Sequence, residues 1–332
     1  MLCLVPHLFP PARLIEAAAP DLRLPALEFL LTRGTRLPSP ADGVEGALCD
    51  ALGVERQQDW PLAPITLAAD GGDPGDAYWL RADPVHLRVM RDRVVLAGGD
   101  LLELSREEAD ALAATVGRHF GAELDPLPLH PQRWYLSFPR TPGLVTTPMS
   151  VATGRDIEPL QPQGVDALLF RRRLNELQML LHDHPVNEAR EARGALPVNS
   201  LWLWGGGRLP GLPGSCRPVH AESAEAQALA AFCGAQAHPV PTHPNAQLMK
   251  TDGVILLDAL TRAGQAGDAY GWRAALCGLE RDWFAPLARQ LRRSGPSGVQ
   301  LADPVNGKTL RLRARDAWRV WRRRRPLASL LS

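Results

Sequence analysis

A chain of 332 residues with 45% hydrophobic composition can bury a substantial core, and its length predicts about two domains. The formal net charge of +1 argues against a nucleic-acid partner, because no domain-wide positive field attracts a polyanion. No apolar run approaches the length that spans a bilayer, so we expect a cytoplasmic protein without a membrane partner.

The N-terminal sequence MLCLVPHLFP is apolar, but it carries no basic leader and is broken by Pro6 and Pro10. It therefore favours a first or edge strand over a signal peptide. The five cysteines are spread along the chain without a CxxC pair. This pattern favours free thiols in a reducing compartment and argues against a cysteine-bound zinc ion.

Along the first half of the chain, a helix is predicted around LPALEFLLTRG, with Gly34 as its C-terminal stop. The segment from Asp76 to Leu104 contains short β-branched runs that predict strands. Ser105 and Glu108 have capping-box spacing and predict the start of a helix. RWYLSF predicts another strand, and TTPMSVATGRDIEPLQPQG predicts a long surface loop.

In the second half, Phe170, Leu174, Leu177 and Leu181 share one helical face, and Pro185 is expected to end that helix. SLWLWGGG predicts a buried strand that runs into a tight turn. Helical and strand patterns then alternate, which predicts an α/β fold. We expect one α/β domain from residues 1–75 and 185–332, and a smaller inserted α+β domain at 76–184.

The densest group of polar residues lies in HDHPVNEAREARGALPVNSLWLWGGGRLPG, from His182 to Gly211. Gly205–Gly207 follow a strand, so their N–H groups either approach a phosphate beside Arg208 or form a turn that requires glycine. His182 and His184 flank the end of a helix, where the two side chains diverge. A capping role is therefore favoured there over metal binding.

Two further motifs are given structural interpretations. NGKT at Asn306–Thr309 lacks the earlier glycine of a P-loop, and TLRLR alternates like a strand. WRVWRRRRPL either contacts RNA, anionic lipid or an acidic partner, or forms the solvated end of a terminal helix whose tryptophans pack inward. We favour the solvated helix end. Motifs for a serine nucleophile elbow, a HExxH metal site and a GxGxxG nucleotide site are missing from the sequence.

The segment HPVNEAR…PVNSLWLWGGGRLP resembles the archaeal-type cofactor-independent phosphoglycerate mutases of the alkaline phosphatase superfamily. Together with YWLRADPVHL, it also resembles proteobacterial proteins labelled regulatory proteins of the pathogenicity-factor cluster, type E, which are often labelled phosphoglycerate mutase. The resemblance implies an alkaline-phosphatase-like sheet sandwiched by helices, with an inserted substrate domain. It also implies ligand-binding roles for Arg81, His86, His184, Asn187, Arg190, Asn199, Trp204, Gly205, Gly207 and Arg208. The open alternative is a structural role, in which Asn187 and Asn199 cap turns and the tryptophans belong to the core.

The sequence departs from that family where its chemistry resides. The superfamily uses two divalent metals and a metal-activated Ser or Thr, but the aligned positions here hold His7, Val44, Thr261 and Gln265. SGVQLADP stands in place of a metal-binding strand. We therefore predict no catalytic residues, no metal and no cofactor.

The predicted function is that of a non-catalytic regulatory or ligand-sensing protein, with a phosphorylated small molecule or a protein as its partner. The alternative is an active mutase or phosphotransferase that binds Mn or Zn through other ligands. That alternative set consists of His7, Asp42, Asp258, Asp268 and Asp303.

Overall fold

A computed structural model describes the chain except for residues 19–20, 99–100, 215–216, 246, 294–297, 320, 323–324, 326 and 332. The chain divides into two compact units. The first unit contains Met1–Leu52 and Ser215–Ser332, and the second contains Gly53–Gly214.

Residues 1–52 alternate between short strands and helices of the first unit. These are β1 (Leu2–Leu4), α1 (Ala12–Ala18), α2 (Pro25–Arg33), β2 (Thr35–Pro38) and α3 (Gly43–Leu52). Helix α2 ends before Gly34, as predicted, but Gly34 does not adopt a left-handed conformation (φ −65°). A Cβ atom at Gly34 would lie 2.6 Å from the Leu310 side chain, so close packing explains the glycine.

The second unit contains a sheet, a separate hairpin and five helices among its described residues. The elements are α4 (Leu62–Ala69), β3 (Tyr78–Val85), β4 (Leu87–Val89), β5 (Val94–Leu96), α5 (Arg106–Phe120), β6 (Leu127–His130), β7 (Arg133–Phe138), α6 (Met149–Ala152), α7 (Ala167–His182), α8 (Pro185–Ala192) and β8 (Ser200–Gly207). The sheet is antiparallel, with strand order β6-β7-β3-β8, and β4 pairs with β5.

Several local predictions in this unit are confirmed. The Ser105–Glu108 capping box starts α5, and RWYLSF forms β7. The predicted loop at 146–164 is wrong in part, because it contains α6 and a 3-10 turn at Glu158–Leu160. Pro185 ends α7 as expected and also occupies the first position of α8, where the missing N–H costs no hydrogen bond.

The last part of the chain completes the first unit. Its elements are β9 (Val219–His220), α9 (Ala224–Phe232), β10 (Ala237–His238), β11 (Val254–Leu256), α10 (Thr261–Ala266), α11 (Ala269–Leu279), α12 (Ala285–Arg293), β12 (Val299–Asp303), β13 (Lys308–Leu312) and α13 (Leu327–Leu331). The segment YGWRAALCGLERDWFAPLARQLRR has the pattern of one amphipathic helix, and in the structure a π-helical turn at Glu280–Phe284 joins α11 to α12 within it.

The described strands of the first unit form a seven-stranded sheet in the order β10-β9-β11-β1-β12-β13-β2. The strands from β10 to β12 are parallel, and β13 and β2 extend the sheet by antiparallel pairing. Strand β1 therefore lies in the centre rather than at an edge. Helical residues such as Trp272 and Phe284 share one hydrophobic core with Cys3 and Ile255 of the sheet. The predicted α/β class, with a mainly parallel sheet flanked by helices, is confirmed.

The second unit extends beyond both ends of the insertion expected at 76–184. Helix α4 packs on β3 and β8, and β8 pairs with β3 along its length, so residues before and after the expected insertion share its core. A role for this unit in substrate binding stays a prediction. Among the described residues, no helix is both long and apolar enough to cross a membrane.

The C-terminal basic run is described only in part, because Val320, Arg323, Arg324 and Pro326 lie outside the described residues. Trp318 is 68% exposed and Trp321 is 74% exposed, so the prediction that these tryptophans pack inward is wrong. TLRLR forms β13, as predicted, and NGKT contributes to the turn between β12 and β13 rather than to a P-loop.

Candidate functional site

Arg81 and Trp204 lie opposite each other on β3 and β8 of the second unit. Arg81 is 2% exposed, and its guanidinium donates to the Asp83 carboxylate at 2.9 Å from Nε and 2.8 Å from Nη2. Trp204 Nε1 donates to the same carboxylate at 2.8 Å, and the Trp204 ring lies 4.9 Å from the guanidinium carbon. The structure thus brings two of the predicted ligand-binding residues together, around a carboxylate of the chain itself.

Asn187 links the end of α7 to the segment before β8. Its Nδ2 donates to the carbonyls of Leu181 and Val198 at 2.7 Å, and its Oδ1 accepts from the Val198 N–H at 2.8 Å. The side chain is buried, so these backbone groups depend on it for their hydrogen bonds. Asn187 therefore has a structural role that needs no ligand.

Arg190 lies one turn further along α8 and is 1% exposed. It donates to the carbonyls of Leu196 and Glu103 at 2.7 and 2.8 Å, and to the Glu108 carboxylate at 2.7 Å. Partial burial opposes ionisation of Glu108, but hydrogen bonds from Ser105 and Arg193 outweigh it and lower the pKa of this carboxyl. Arg190 thus joins α8 to the capping box of α5.

His184, His86 and Asn199 also bond to the backbone. His184 caps α8 through Nδ1, which accepts from the Val186 N–H at 3.2 Å, so the predicted capping role is confirmed. His86 Nδ1 donates to the Pro197 carbonyl at 2.9 Å, and burial lowers the pKa of His86. Asn199 accepts from the Leu87 N–H at 2.7 Å and donates to the Leu87 carbonyl at 2.9 Å, as a strand partner would.

Gly205–Gly207 form the end of β8 and are buried. The register between β3 and β8 shifts here, and Gly205 has φ +69°, which produces a β-bulge. A Cβ at Gly206 would collide with Tyr78 Oη, and one at Gly207 would lie 2.5 Å from Pro61 Cβ. Close packing therefore accounts for glycine at these positions, which favours the structural interpretation over a phosphate cradle.

Arg208 follows the bulge. Its backbone N–H donates to Gln57 Oε1 at 2.9 Å, and its guanidinium donates to the Asp76 carbonyl. Arg81 and Trp204 thus share Asp83, whereas the candidates on α8 and Arg208 have other partners, and the role of these residues in ligand binding stays a prediction.

Asn199 also lines a cavity of about 880 Å³ in the second unit, which we call the hairpin groove. The groove lies between the β4–β5 hairpin, the Asp156–Gln161 turn and the end of α7. Its ionisable lining residues are mostly acidic: Asp92, Asp156, Glu158 and Asp183, with Arg93 and His182. Its apolar lining includes Val89 and Met179, which are 80% and 79% exposed. Carboxylates in excess oppose the binding of a phosphate here.

In the first unit, the positions where the resemblance implies catalytic groups converge after β1. His7 lies in the turn that follows this strand, and a Cβ at Gly264 of α10 would lie 2.5 Å from its ring. The Gly43 N–H, at the start of α3, donates to the Pro304 carbonyl at 3.1 Å, which places Val44 near the end of β12. The topology therefore brings these positions together.

Asp303, at the end of β12, is completely buried and accepts five hydrogen bonds from the chain. The donors are the backbone N–H groups of His7, Phe9, Val305 and Asn306 and the side-chain Nδ2 of Asn306. An aspartate engaged in this way fixes two loops, and a metal at its oxygens would compete with those donors.

The donor set at this place does not fit a two-metal centre. Val44 has no ligand atom, and the Asp303 oxygens already accept five hydrogen bonds from the chain. Throughout the described part of the chain, no group of three or more His, Cys, Asp or Glu side chains is placed to hold a metal ion. The absence of metals and cofactors stays a prediction.

The sequence interpretation missed the buried acidic partners. Asp83 lies two residues after Arg81, and side chains two apart on a strand share a face, so this pair had a local signal. Asp70 had no local signal of this kind, because its partners Arg133 and Tyr135 lie on β7, far along the chain from Asp70. Burial alone would raise the pKa of Asp70, but the hydrogen bonds from Arg133 and Tyr135 outweigh it and lower this pKa.

No protein-family model matches the chain. It is 38% identical over 69 residues to the 2,3-bisphosphoglycerate-independent phosphoglycerate mutase of Methanothrix thermoacetophila, covering 21% of this chain and 18% of that protein. It is 34% identical over 110 residues to the enzyme of the same name from Methanosarcina barkeri, covering 32% of this chain and 28% of that protein. The matched segments thus span less than a third of these curated relatives.

Among solved structures, a cofactor-independent phosphoglycerate mutase from Thermoplasma acidophilum aligns with a TM-score of 0.41 and 17% identity, over 94% of this chain and 88% of that one. A Pyrococcus horikoshii protein aligns with a TM-score of 0.43 and 14% identity, over 94% of this chain and 86% of that one. By the sequence matches, the chain is related over part of its length to the 2,3-bisphosphoglycerate-independent phosphoglycerate mutases.

Proposed function

We propose that this chain is a non-catalytic relative of the phosphoglycerate mutases that acts by binding a partner. One observation carries the proposal. The positions aligned with the family's catalytic groups lie together after β1, but Val44 stands where a hydroxyl is needed and Asp303 is engaged by five chain hydrogen bonds. Metal-assisted phosphoryl transfer requires an attacking oxygen whose pKa is lowered and cations that neutralise the phosphate. These side chains provide neither the attacking oxygen nor a site for the cations.

We further propose that the chain has a regulatory role, as in the pathogenicity-factor cluster proteins that its sequence resembles. Protein contact has more support here than sensing of a phosphorylated metabolite. Arg81 and Arg190 already bind carboxylates of the chain, at 2.8 and 2.7 Å. A phosphate would have to displace those carboxylates from buried positions, at a large cost in free energy.

The hairpin groove supports the protein-contact form. Its exposed Val89 and Met179 offer apolar surface, and four carboxylates face the groove against one arginine and one histidine. A basic amphipathic helix would cover the apolar side chains and place its cations near the carboxylates. We therefore propose such a helix as the chemistry of the partner.

The test of catalysis is a mutase assay on the full chain with 3-phosphoglycerate, in Mn²⁺ and in Zn²⁺, together with metal analysis of protein purified without chelator. We expect no turnover above the protein-free rate. The Methanothrix and Methanosarcina relatives are named as mutases, which favours the alternative of an active enzyme. Turnover accompanied by two bound ions per chain would establish that alternative and overturn the proposal.

The test of binding is fluorescence anisotropy with a labelled helical peptide of alternating Leu and Lys clusters, compared with the same peptide carrying Glu in place of Lys. We expect the Lys peptide to bind more tightly, and Met179→Asp to weaken it at least about tenfold. Val165→Asp, at another exposed apolar residue of the same unit, is the matched control. Equal binding of the two peptides, or equal loss in the two variants, would contradict the groove assignment.

A further inference from the structure

Two histidines end neighbouring strands at one edge of the seven-stranded sheet. His220 is the last residue of β9, His238 is the last residue of β10, and the two are register partners in a parallel pair. Register partners on adjacent strands project from the same face of a sheet. The two imidazole rings accordingly stack, with centroids 5.1 Å apart and an interplanar angle of 28°.

A backbone carbonyl fixes the tautomer of His220. Its Nδ1 lies 3.2 Å from the Pro239 carbonyl oxygen, which can only accept, so Nδ1 carries the proton. The Nε2 atom of the neutral ring therefore keeps its lone pair. This arrangement, with one ring nitrogen held by a carbonyl, is how proteins orient histidines that bind metal through the other nitrogen.

We propose that His220 and His238 form a two-histidine site for a divalent transition-metal ion such as Zn²⁺, Ni²⁺ or Cu²⁺, ions that imidazole nitrogen suits. Metal–nitrogen bonds of about 2.0–2.1 Å hold two ligand nitrogens roughly 3–4 Å apart. The rings are close enough for one ion to bridge once the stacked side chains rotate so that the lone pairs of both ligand nitrogens point at it. Both histidines are half-buried, so water can complete the coordination.

This site is separate from the place where the resemblance implies catalytic metals. The implied catalytic positions follow β1 and β12. His220 and His238 end β9 and β10, which form one edge of the sheet and are separated from β1 by β11. The carboxyl ends of parallel strands are the usual ligand-binding side of an α/β sheet. Because the proposed site uses neither β1 nor β12, the inference does not depend on whether the chain is a mutase.

The experiment is a calorimetric titration of the metal-stripped full chain with ZnCl₂, repeated with His220→Ala, His238→Ala and the double variant. We expect saturable binding by the wild type and at least about a tenfold loss of affinity for each single variant. His119→Ala, at an exposed histidine of the other unit paired with Glu176, is the control and should bind like the wild type. Electron paramagnetic resonance with Cu²⁺ should show two nitrogen ligands in the wild type and one in each single variant.

Two results would overturn the proposal. One is the absence of saturable zinc binding by the wild type. The other is zinc affinity and copper spectra that the double variant leaves unchanged, which would place the metal elsewhere. Thermal unfolding in chelator checks that the variants fold, and if the alanine variants unfold early, His220→Asn and His238→Asn retain a polar side chain of similar shape for the same titration.

Discussion

Asp303 holds the backbone of His7 in a conformation that few residues other than glycine adopt. Its Oδ1 accepts the His7 N–H at 3.2 Å, and His7 has φ +61°. The left-handed region costs a residue with a side chain about 1–2 kcal/mol, so surrounding contacts must stabilise it. At the place where the resemblance implies catalytic metals, a carboxylate of the chain fixes the loop after the central strand.

Replacing Asp303 by Ala should strongly destabilise the protein in metal-free buffer. The change leaves four backbone N–H groups and the Asn306 side chain without their acceptor, and each buried orphan donor costs roughly 1–3 kcal/mol. We expect a loss of at least about 3 kcal/mol in the free energy of unfolding, measured with urea. Asp258→Ala, at an exposed member of the alternative ligand set, should change it by less than about 0.5 kcal/mol. An Asp303 variant as stable as the wild type would contradict the structural role.

Two buried tyrosines of the second unit should respond in opposite ways to loss of the hydroxyl. Tyr78 Oη is buried without a hydrogen-bond partner among the described residues, whereas Tyr135 Oη donates to Asp70 at 2.6 Å. Tyr78→Phe should leave the free energy of unfolding unchanged or raise it by about 1 kcal/mol, and Tyr135→Phe should lower it by about 1.5–3 kcal/mol. Urea unfolding of the two variants is the measurement. Equal losses would mean that Tyr78 has an acceptor.

Gly206 provides a test of the packing interpretation of the glycine bulge. A Cβ at this position meets Tyr78 Oη, so Gly206→Ala should destabilise the wild type by about 1–3 kcal/mol. The same change should cost less in a Tyr78→Phe background, because the nearest colliding atom is gone, although Leu80 Cδ2 still lies 2.8 Å from the added Cβ. A double-mutant cycle by urea unfolding measures this coupling. If the cost is the same in both backgrounds, the collision does not explain the glycine.

The sequence predicted elements whose signals are local. The capping box of α5 and the glycine after α2 follow from spacings of a few residues, and both elements begin or end as expected. The central position of β1 could not be predicted in the same way. Its neighbours β11 and β12 come from the other end of the chain, and no local pattern specifies that pairing.

The candidate site was harder to predict than the fold for a related reason. The polar residues between His182 and Gly211 stand out in the sequence, but a sequence does not distinguish a side chain that binds a ligand from one that binds backbone. Asn187 and Asn199 satisfy carbonyl and N–H groups of segments that pack beside them. These backbone groups can be identified as partners only from the tertiary packing.

Arg190 and Arg193 share the Glu108 carboxylate and form a matched pair for mutation. Arg190 is 1% exposed and also holds two backbone carbonyls, so Arg190→Met should lower the free energy of unfolding by about 3–5 kcal/mol. The Arg193 side chain is 53% exposed, and Arg193→Met should cost at most about 1 kcal/mol. Urea unfolding checks both values. A stable Arg190 variant that loses binding of inorganic phosphate would favour the anion-pocket prediction instead.

The cap of α8 should make the protein less stable in mild acid. Burial, with a contribution from Arg118, lowers the pKa of His184, and protonation of Nδ1 would break its hydrogen bond from the Val186 N–H. A histidine whose pKa is lower in the folded state contributes stability above its unfolded pKa of about 6.5, and this contribution is lost as the pH falls through the folded pKa. His184→Asn keeps a capping oxygen that does not titrate. We therefore expect the free energy of unfolding to fall less between pH 7.5 and pH 5 in this variant than in the wild type. His182→Asn, two residues earlier and exposed, is the matched control, and the same change of slope in both variants would rule out the cap as its origin.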